Sequence, residues 1–117
     1  MLDSFDKVEF NALANGATAA FIEGLSDSVS TVALVGVETI ICIYQTAMGL
    51  LDKGLDVWVI TDGVSSRNPE DHQDGLARMR SRGVAMGPAE MLVYELLGKA
   101  GSPEFKKVLP HILARDA

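Results

Sequence analysis

Residues 31 to 60 read TVALVGVETIICIYQTAMGLLDKGLDVWVI and contain the pattern that decides the fold. Thr31 to Val37 is a short, nearly all-apolar run rich in β-branched residues, which predicts a strand buried on both faces. Val57 to Ile60 is a second such run. Between them, the apolar residues of Cys42 to Lys53 recur at helical spacing, and Gly54 follows as a C-terminal cap. The stretch therefore predicts a strand-helix-strand unit.

The rest of the chain continues this alternation. Asn68 and Pro69 are typical of a helix start, and the helix should reach about Ser81. A third strand is predicted at Val84 to Met86. Further helices are predicted at Ala17 to Leu25, at Pro88 to Leu97 and from Ser102 onward. Strands joined by helix-length connections favour an α/β fold with a parallel sheet and helices on both faces, a Rossmann-like three-layer α/β/α arrangement.

Composition bounds the classes of function. The 117 residues suit a single domain spanning 1–117, and the net charge of -6 argues against nucleic acid and anionic membrane surfaces as partners. The single cysteine cannot form an internal disulfide, and no export or membrane segment is recognisable, so we expect a cytoplasmic protein. Neither His72 nor His111 has other potential metal ligands at a suitable spacing in the sequence, and neither a metal nor another cofactor is predicted.

Three parallel strands make a small sheet with an exposed apolar edge at Val32 to Val37. Such edges are usually paired or covered, because their free N–H and C=O groups and apolar side chains promote association. We therefore expect a second copy of the chain, or a partner chain, to pair along this edge.

Cys42 is the candidate reactive residue because it follows the first predicted strand at the start of a helix. The N–H groups of a helix's first turn lack intrahelical partners, and the positive end of the helix dipole stabilises a thiolate. Ligands of open parallel sheets bind beyond the carboxyl ends of the strands, which is where this turn lies. The competing interpretation, with about equal weight from spacing alone, is that Cys42 is a small buried apolar residue.

Several motifs resemble those of isochorismatase-like cysteine hydrolases, in the branch of isochorismatase domain-containing proteins. They are Gly36 to Ile43, Gln45 to Ala47, Leu51 to Gly54, Asp62 to Arg67, Glu70-Asp71, Ala77 to Met79, Glu90-Met91, Glu95 to Gly98 and Phe105-Lys106. The resemblance covers nearly the whole chain. It implies hydrolysis of a small-molecule substrate, an amide or related carbonyl compound, with Cys42 as the nucleophile.

The same resemblance implies roles for further residues. Lys7, in Lys7-Val8-Glu9-Phe10, is similar to the family's catalytic lysine in a Lys-x-x-Phe motif. A cis peptide bond is implied between Val37 and Glu38, and the N–H groups of Ile41 and Cys42 are implied to line an oxyanion pocket.

The chain also departs from the family pattern. The family's aspartate lies in an apolar-Asp-x-Gln strand, and this chain is interpreted as truncated, beginning after the place of that strand. Asp3 and Asp6 follow no apolar run, and Ile40 stands where many relatives carry histidine. The hydrolase is therefore expected to be incomplete. The alternatives are a non-catalytic remnant that forms oligomers or binds a partner, and a thiol redox sensor at Cys42.

Overall fold

The computed structural model describes residues 2–115, and the helices and strands alternate as the sequence predicts. The strands are β1 (Thr31–Val37), β2 (Asp56–Ser65) and β3 (Ala85–Gly87). The helices are α1 (Gly16–Glu23), α2 (Tyr44–Asp52), α3 (Pro69–Ser81), α4 (Ala89–Leu97) and α5 (Pro103–Arg115). Two short turns complete the described part, a 3-10 turn at Ala12–Ala14 and a π-helical turn at Thr39–Ile43, called the π turn below.

The three strands form one parallel sheet in the order β1-β2-β3. Parallel neighbours need crossover connections, and here α2 joins β1 to β2 while α3 joins β2 to β3. The α/β fold class expected from the sequence is confirmed.

The second strand is longer than the four residues predicted from its apolar run. Its pairing with β1 shifts between Leu34, opposite Val59, and Gly36, opposite Val64. The residues skipped by this shift include Gly63, where an added Cβ would lie 2.8 Å from the Val35 side chain. The sequence prediction ended the strand before this irregularity, because Thr61-Asp62-Gly63 is typical of a turn. Beyond it the strand resumes, and Ser65 pairs with Val37.

The core lies on one face of the sheet, where α2 and α3 pack against β2. Its fully or nearly buried members are Ile43, Ala47, Leu50, Val57, Val59, Val64, Leu76, Met79 and Val84. Val32 and Leu34 of β1 pack against this cluster. On the other side of the sheet Ile60 is buried and α4 contacts β2.

The prediction that β1 is buried on both faces is wrong. Burial alternates along it, and Val35 and Val37 are 63% and 64% exposed. Their side chains point away from the cluster that Val32 and Leu34 join, because successive residues of a strand face opposite sides. Within residues 2–115, no side chain covers this outer face of β1 well enough to bury them.

The helix boundaries agree with the sequence signals at most ends. The Asn68 side chain accepts hydrogen bonds from the N–H groups of Glu70 and Asp71, which is the predicted cap of α3. Gly98 ends α4 with φ of 74°, a conformation that favours glycine. The last helix, predicted from Ser102 onward, is α5, and it continues through Pro110 to Arg115. No helix in the described part of the chain combines the length and apolarity required to cross a membrane.

Candidate functional site

The segment before α1 is fixed to α2 by polar and packing contacts. The Ala12 N–H donates to Thr46 Oγ1 over 3.0 Å, and the Leu13 side chain packs against the core cluster. Gly49 of α2 leaves room for Asn11, since an added Cβ would lie 2.9 Å from the Asn11 amide atoms. These contacts hold the start of the chain beside the helix that follows the π turn.

This docking brings Lys7 to Cys42. Lys7 Nζ donates to Cys42 Sγ over 3.6 Å, although the two residues are 35 positions apart in sequence. The ammonium also donates to the Glu9 carbonyl oxygen over 2.8 Å. Cys42 is half-buried and its thiol is free. An ammonium at this distance stabilises a thiolate by direct charge attraction.

Glu9 organises the segment that carries Lys7. Its carboxylate accepts hydrogen bonds from the Val8 N–H over 3.2 Å and from Asn15 Nδ2 over 3.3 Å. The pKa of Glu9 is lowered, chiefly by hydrogen bonding to its own backbone N–H and then by the Asn15 amide, with the Lys7 ammonium contributing last. The ionised form of Glu9 is therefore the one that the fold stabilises.

Cys42 lies within the π turn, rather than in the first turn of an α-helix as predicted. The helix α2 begins two residues later, at Tyr44. The peptide bond between Val37 and Glu38 is cis. The Glu38 carbonyl oxygen accepts from the Ile41 N–H over 3.1 Å and from the Ile43 N–H over 3.2 Å. The Ile41 amide therefore already has an acceptor, and a substrate oxyanion at this amide would compete with the Glu38 carbonyl.

Residues after β2 hold the π turn from the other side. Arg67 Nε lies 2.8 Å from Glu38 Oε2 and forms a salt bridge with it. The Ile40 N–H donates to Ser66 Oγ over 3.4 Å. Both contacts depend on the extension of β2 beyond its pairing shift, because that extension carries the chain alongside the turn.

Sequence reasoning missed one contact of this site. The sequence assigned His72 no role beyond the absence of metal ligands around it, but the residue is half-buried, and its Nδ1 lies 2.8 Å from the Thr39 hydroxyl. Thr39 itself is completely buried. The Asn68 cap is recognisable in the sequence and sets where α3 begins, and therefore where position 72 lies on the helix. Thr39, which His72 contacts, is 33 positions away in sequence, so the cap alone could not identify this contact.

Lys7 forms no salt bridge in the part of the chain that the structure describes. No carboxylate of residues 2–115 lies within ion-pair distance of Lys7 Nζ. Asp3 and Asp6 are exposed. The described residues also hold no group of three or more His, Cys, Asp or Glu side chains that could bind a metal ion.

The fold and the matched sequence identify the class of protein. The isochorismatase domain family matches residues 3–91, which is more than half of the chain. The chain therefore belongs to the isochorismatase domain family, as its motifs predicted.

Individual relatives agree with this assignment. The secreted isochorismatase effector Isc1 of Phytophthora sojae is 36% identical over 104 residues, 89% of this chain and 49% of the relative. The structure of the MAR1 ribonuclease from Caenorhabditis elegans matches with a TM-score of 0.81 and 33% identity, over 93% of this chain and 54% of that one. The nicotinamidase PncA from Bacillus subtilis matches with a TM-score of 0.63 and 26% identity, over 69% of this chain and 44% of that one. This chain thus spans about half the length of each of the three.

Proposed function

We propose that this chain carries the nucleophile part of a cysteine hydrolase site that acts on a small amide or a related carbonyl compound. The observation that carries the proposal is the 3.6 Å contact between Lys7 Nζ and Cys42 Sγ at the carboxyl end of β1. A thiolate beside an ammonium is an activated nucleophile. Its place beyond the strand ends is where ligands of parallel sheets bind.

In the proposed reaction, the Cys42 thiolate attacks the carbonyl carbon, and a carbon–sulfur bond forms while negative charge moves to the carbonyl oxygen. When this intermediate collapses, the carbon–nitrogen bond breaks and the leaving nitrogen takes a proton from a carboxylic acid. Water then attacks the thioester carbon and gives one proton to the carboxylate, which restores the carboxylic acid. The carbon–sulfur bond breaks, and the carboxylic acid product and the thiolate are released. Lys7 stabilises the thiolate at the start and the end of the cycle. The N–H of Cys42 is the proposed oxyanion donor, with Ile41 contributing only if it leaves the Glu38 carbonyl.

We propose that the proton donor for the leaving nitrogen comes from outside the described part of the chain. None of the carboxylates in residues 2–115 pairs with Lys7, and the exposed Asp3 and Asp6 lie in a segment without regular secondary structure. General acid catalysis requires a donor within hydrogen-bond reach of the reacting atom. We therefore propose that an aspartate supplied by a further segment or a partner chain completes the site, and that this chain is incomplete by itself.

Small carbonyl compounds suit this chain better than RNA does. The Caenorhabditis elegans structure is that of a ribonuclease, and the Bacillus subtilis structure is that of a nicotinamidase. A net charge of -6 opposes binding of a phosphodiester backbone, because affinity for nucleic acid depends mainly on basic side chains. Nicotinamide, a small primary amide, is accordingly the first substrate to test.

Ammonia release from nicotinamide and other small primary amides tests the proposal. The chain is assayed alone and together with the portion of the Phytophthora sojae relative that it does not match. We expect turnover in the mixture, reduced at least about a hundredfold by Cys42→Ala, because removal of a nucleophile abolishes the covalent route. Turnover that Cys42→Ala leaves unchanged, or no turnover in either condition, contradicts the proposal.

A second candidate is a partner-binding form of this fold without catalysis. The exposed Val35 and Val37 on the outer face of β1 favour it, because an open apolar edge strand promotes association with another chain. This candidate predicts a dimer or a larger oligomer in light scattering. A folded monomer that captures no second chain counts against it.

A further inference from the structure

The contact between Thr39 and His72 links α3 to the turn that holds Cys42. Thr39 is the first residue of the π turn and is completely buried. Its hydroxyl lies 2.8 Å from His72 Nδ1. Among the described residues, no buried side-chain nitrogen or oxygen lacks a hydrogen-bond partner. Loss of the imidazole would therefore leave a buried hydroxyl unpaired, which is costly inside a protein.

Close packing reinforces this hydrogen bond one turn further along α3. An added Cβ at Gly75 would lie 3.0 Å from Ile40 Cγ2 and 3.2 Å from Thr39 Cγ2. Such separations are tighter than ordinary contacts between carbon atoms. His72 and Gly75 are three residues apart and therefore share one face of α3. That face is fitted to the π turn.

We infer that His72 is a positioning residue that holds Cys42 in register with Lys7, acting through Thr39. This inference rests on the proposed function, in which the Lys7 ammonium stabilises the Cys42 thiolate. The backbone from Thr39 to Ile43 forms one short π turn, so a displacement of Thr39 moves the cysteine that follows three residues later. Lys7 reaches the sulfur from a separate segment, so movement of the turn changes the distance between Nζ and Sγ. A shift of about 1 Å between reacting groups is enough to cost a large factor in rate.

Alkylation of the single cysteine by iodoacetamide measures this coupling. In the otherwise unchanged chain, Lys7→Met should slow alkylation about two- to fivefold, the effect of losing one partly exposed ion pair. The control Lys107→Met removes an exposed lysine of α5 and should leave the rate unchanged. The Lys7→Met effect is then measured again in His72→Leu and in His72→Asn. The Asn side chain offers a donor and an acceptor near the position of Nδ1 and should preserve the bond to Thr39.

The inference predicts that the Lys7→Met effect disappears in His72→Leu and returns in His72→Asn, with every rate measured well below the thermal unfolding midpoint of each variant. A role of His72 in stability alone would leave the effect intact in all folded variants, and that result overturns the inference. Thr39→Val breaks the same hydrogen bond from the other side and takes the place of His72→Leu if the latter does not fold. If Lys7→Met has no effect even in the unchanged chain, the proposed function fails, and the inference fails with it.

Discussion

Lys7 reaches Cys42 from a segment that has no regular secondary structure, since residues 2–9 form neither helix nor strand. Its position depends on hydrogen bonds made by side chains of this segment and of its neighbours. The Glu9 carboxylate, bound to the Val8 N–H and the Asn15 amide, supplies two of them. At the scale of single residues, Glu9 therefore supports the placement of the ammonium without touching the sulfur.

The lowered pKa of Glu9 leads to a prediction on pH. The folded-state pKa lies below the usual value of 4.5, so Glu9 stabilises the fold fully above pH 4.5 and loses this contribution as pH falls through the lowered value. Denaturant unfolding of the wild-type chain and of Glu9→Gln, followed from neutral to acid pH, should give curves that separate above pH 4.5 and converge in acid. A constant difference at every pH would contradict the assigned role of the carboxylate.

At the scale of residues, local sequence motifs pointed to two positions that the structure places side by side. Lys7 and Cys42 were found through the family motifs that surround them, and the structure brings them together. His72 was missed because its role depends on Thr39, far away in sequence and brought close only by packing of α3. The conformation of the π turn was not predictable either, since Thr39 to Ile43 has the apolar spacing of an ordinary helix start.

The contact between the 3-10 turn and α2 is the element that positions the Lys7 segment. Asn11 caps that turn by accepting from the Leu13 N–H, and its side chain lies against the backbone at Gly49. The glycine in mid-helix costs about 1 kcal/mol relative to alanine, so its presence reflects the space that Asn11 needs.

This contact predicts opposite results for two glycine-to-alanine changes. Gly16→Ala places a methyl group in open space and should raise the free energy of unfolding by up to about 1 kcal/mol. Gly49→Ala should give no such gain, because the methyl group displaces the Asn11 side chain and its cap, worth about 1 kcal/mol. Gly49→Ala should also slow iodoacetamide alkylation of Cys42. Equal stabilisation by both changes, measured by denaturant unfolding, would refute the close contact.

Elements with strong local signals were predicted within a few residues. The third helix, with its Asn68 cap, agrees at both ends, because capping and proline placement are encoded next to the boundary. The predicted end of β2 was wrong, because Gly63 marks the close approach of β1 rather than a turn. The prediction that β1 is buried on both faces was also wrong. Whether a second layer covers a strand depends on chain segments that are far from it in sequence.

The whole molecule has a packed face and an open one. The core cluster fills the space between the sheet, α2 and α3, whereas the outer face of β1 exposes Val35 and Val37. The chain also spans about half the length of the relatives that it matches. The open face and the absence of an ion pair at Lys7 within residues 2–115 agree with the proposal that a further segment or chain completes the site.

Oligomer formation at this face predicts a specific effect of charge. Val35→Lys places an ammonium on the outer face of β1 and should shift any dimer toward monomer, because a buried unpaired charge is costly at an interface. The control Leu113→Lys changes an equally exposed apolar residue on α5. Light scattering that shows the same dissociation for both variants, or for neither, would remove β1 as the contact surface.

The central claim is that Cys42 is a nucleophile activated by Lys7, and acylation by an aryl ester tests it most directly. The phenolate of p-nitrophenyl acetate leaves without a proton donor, so the chain needs no additional carboxylate for this step. Intact-mass spectrometry should show one acetyl group on the wild-type chain, slower acetylation in Lys7→Met than in Lys107→Met, and none in Cys42→Ala. Acetylation at the same rate in Cys42→Ala, or no acetylation of the wild-type chain, would contradict the account.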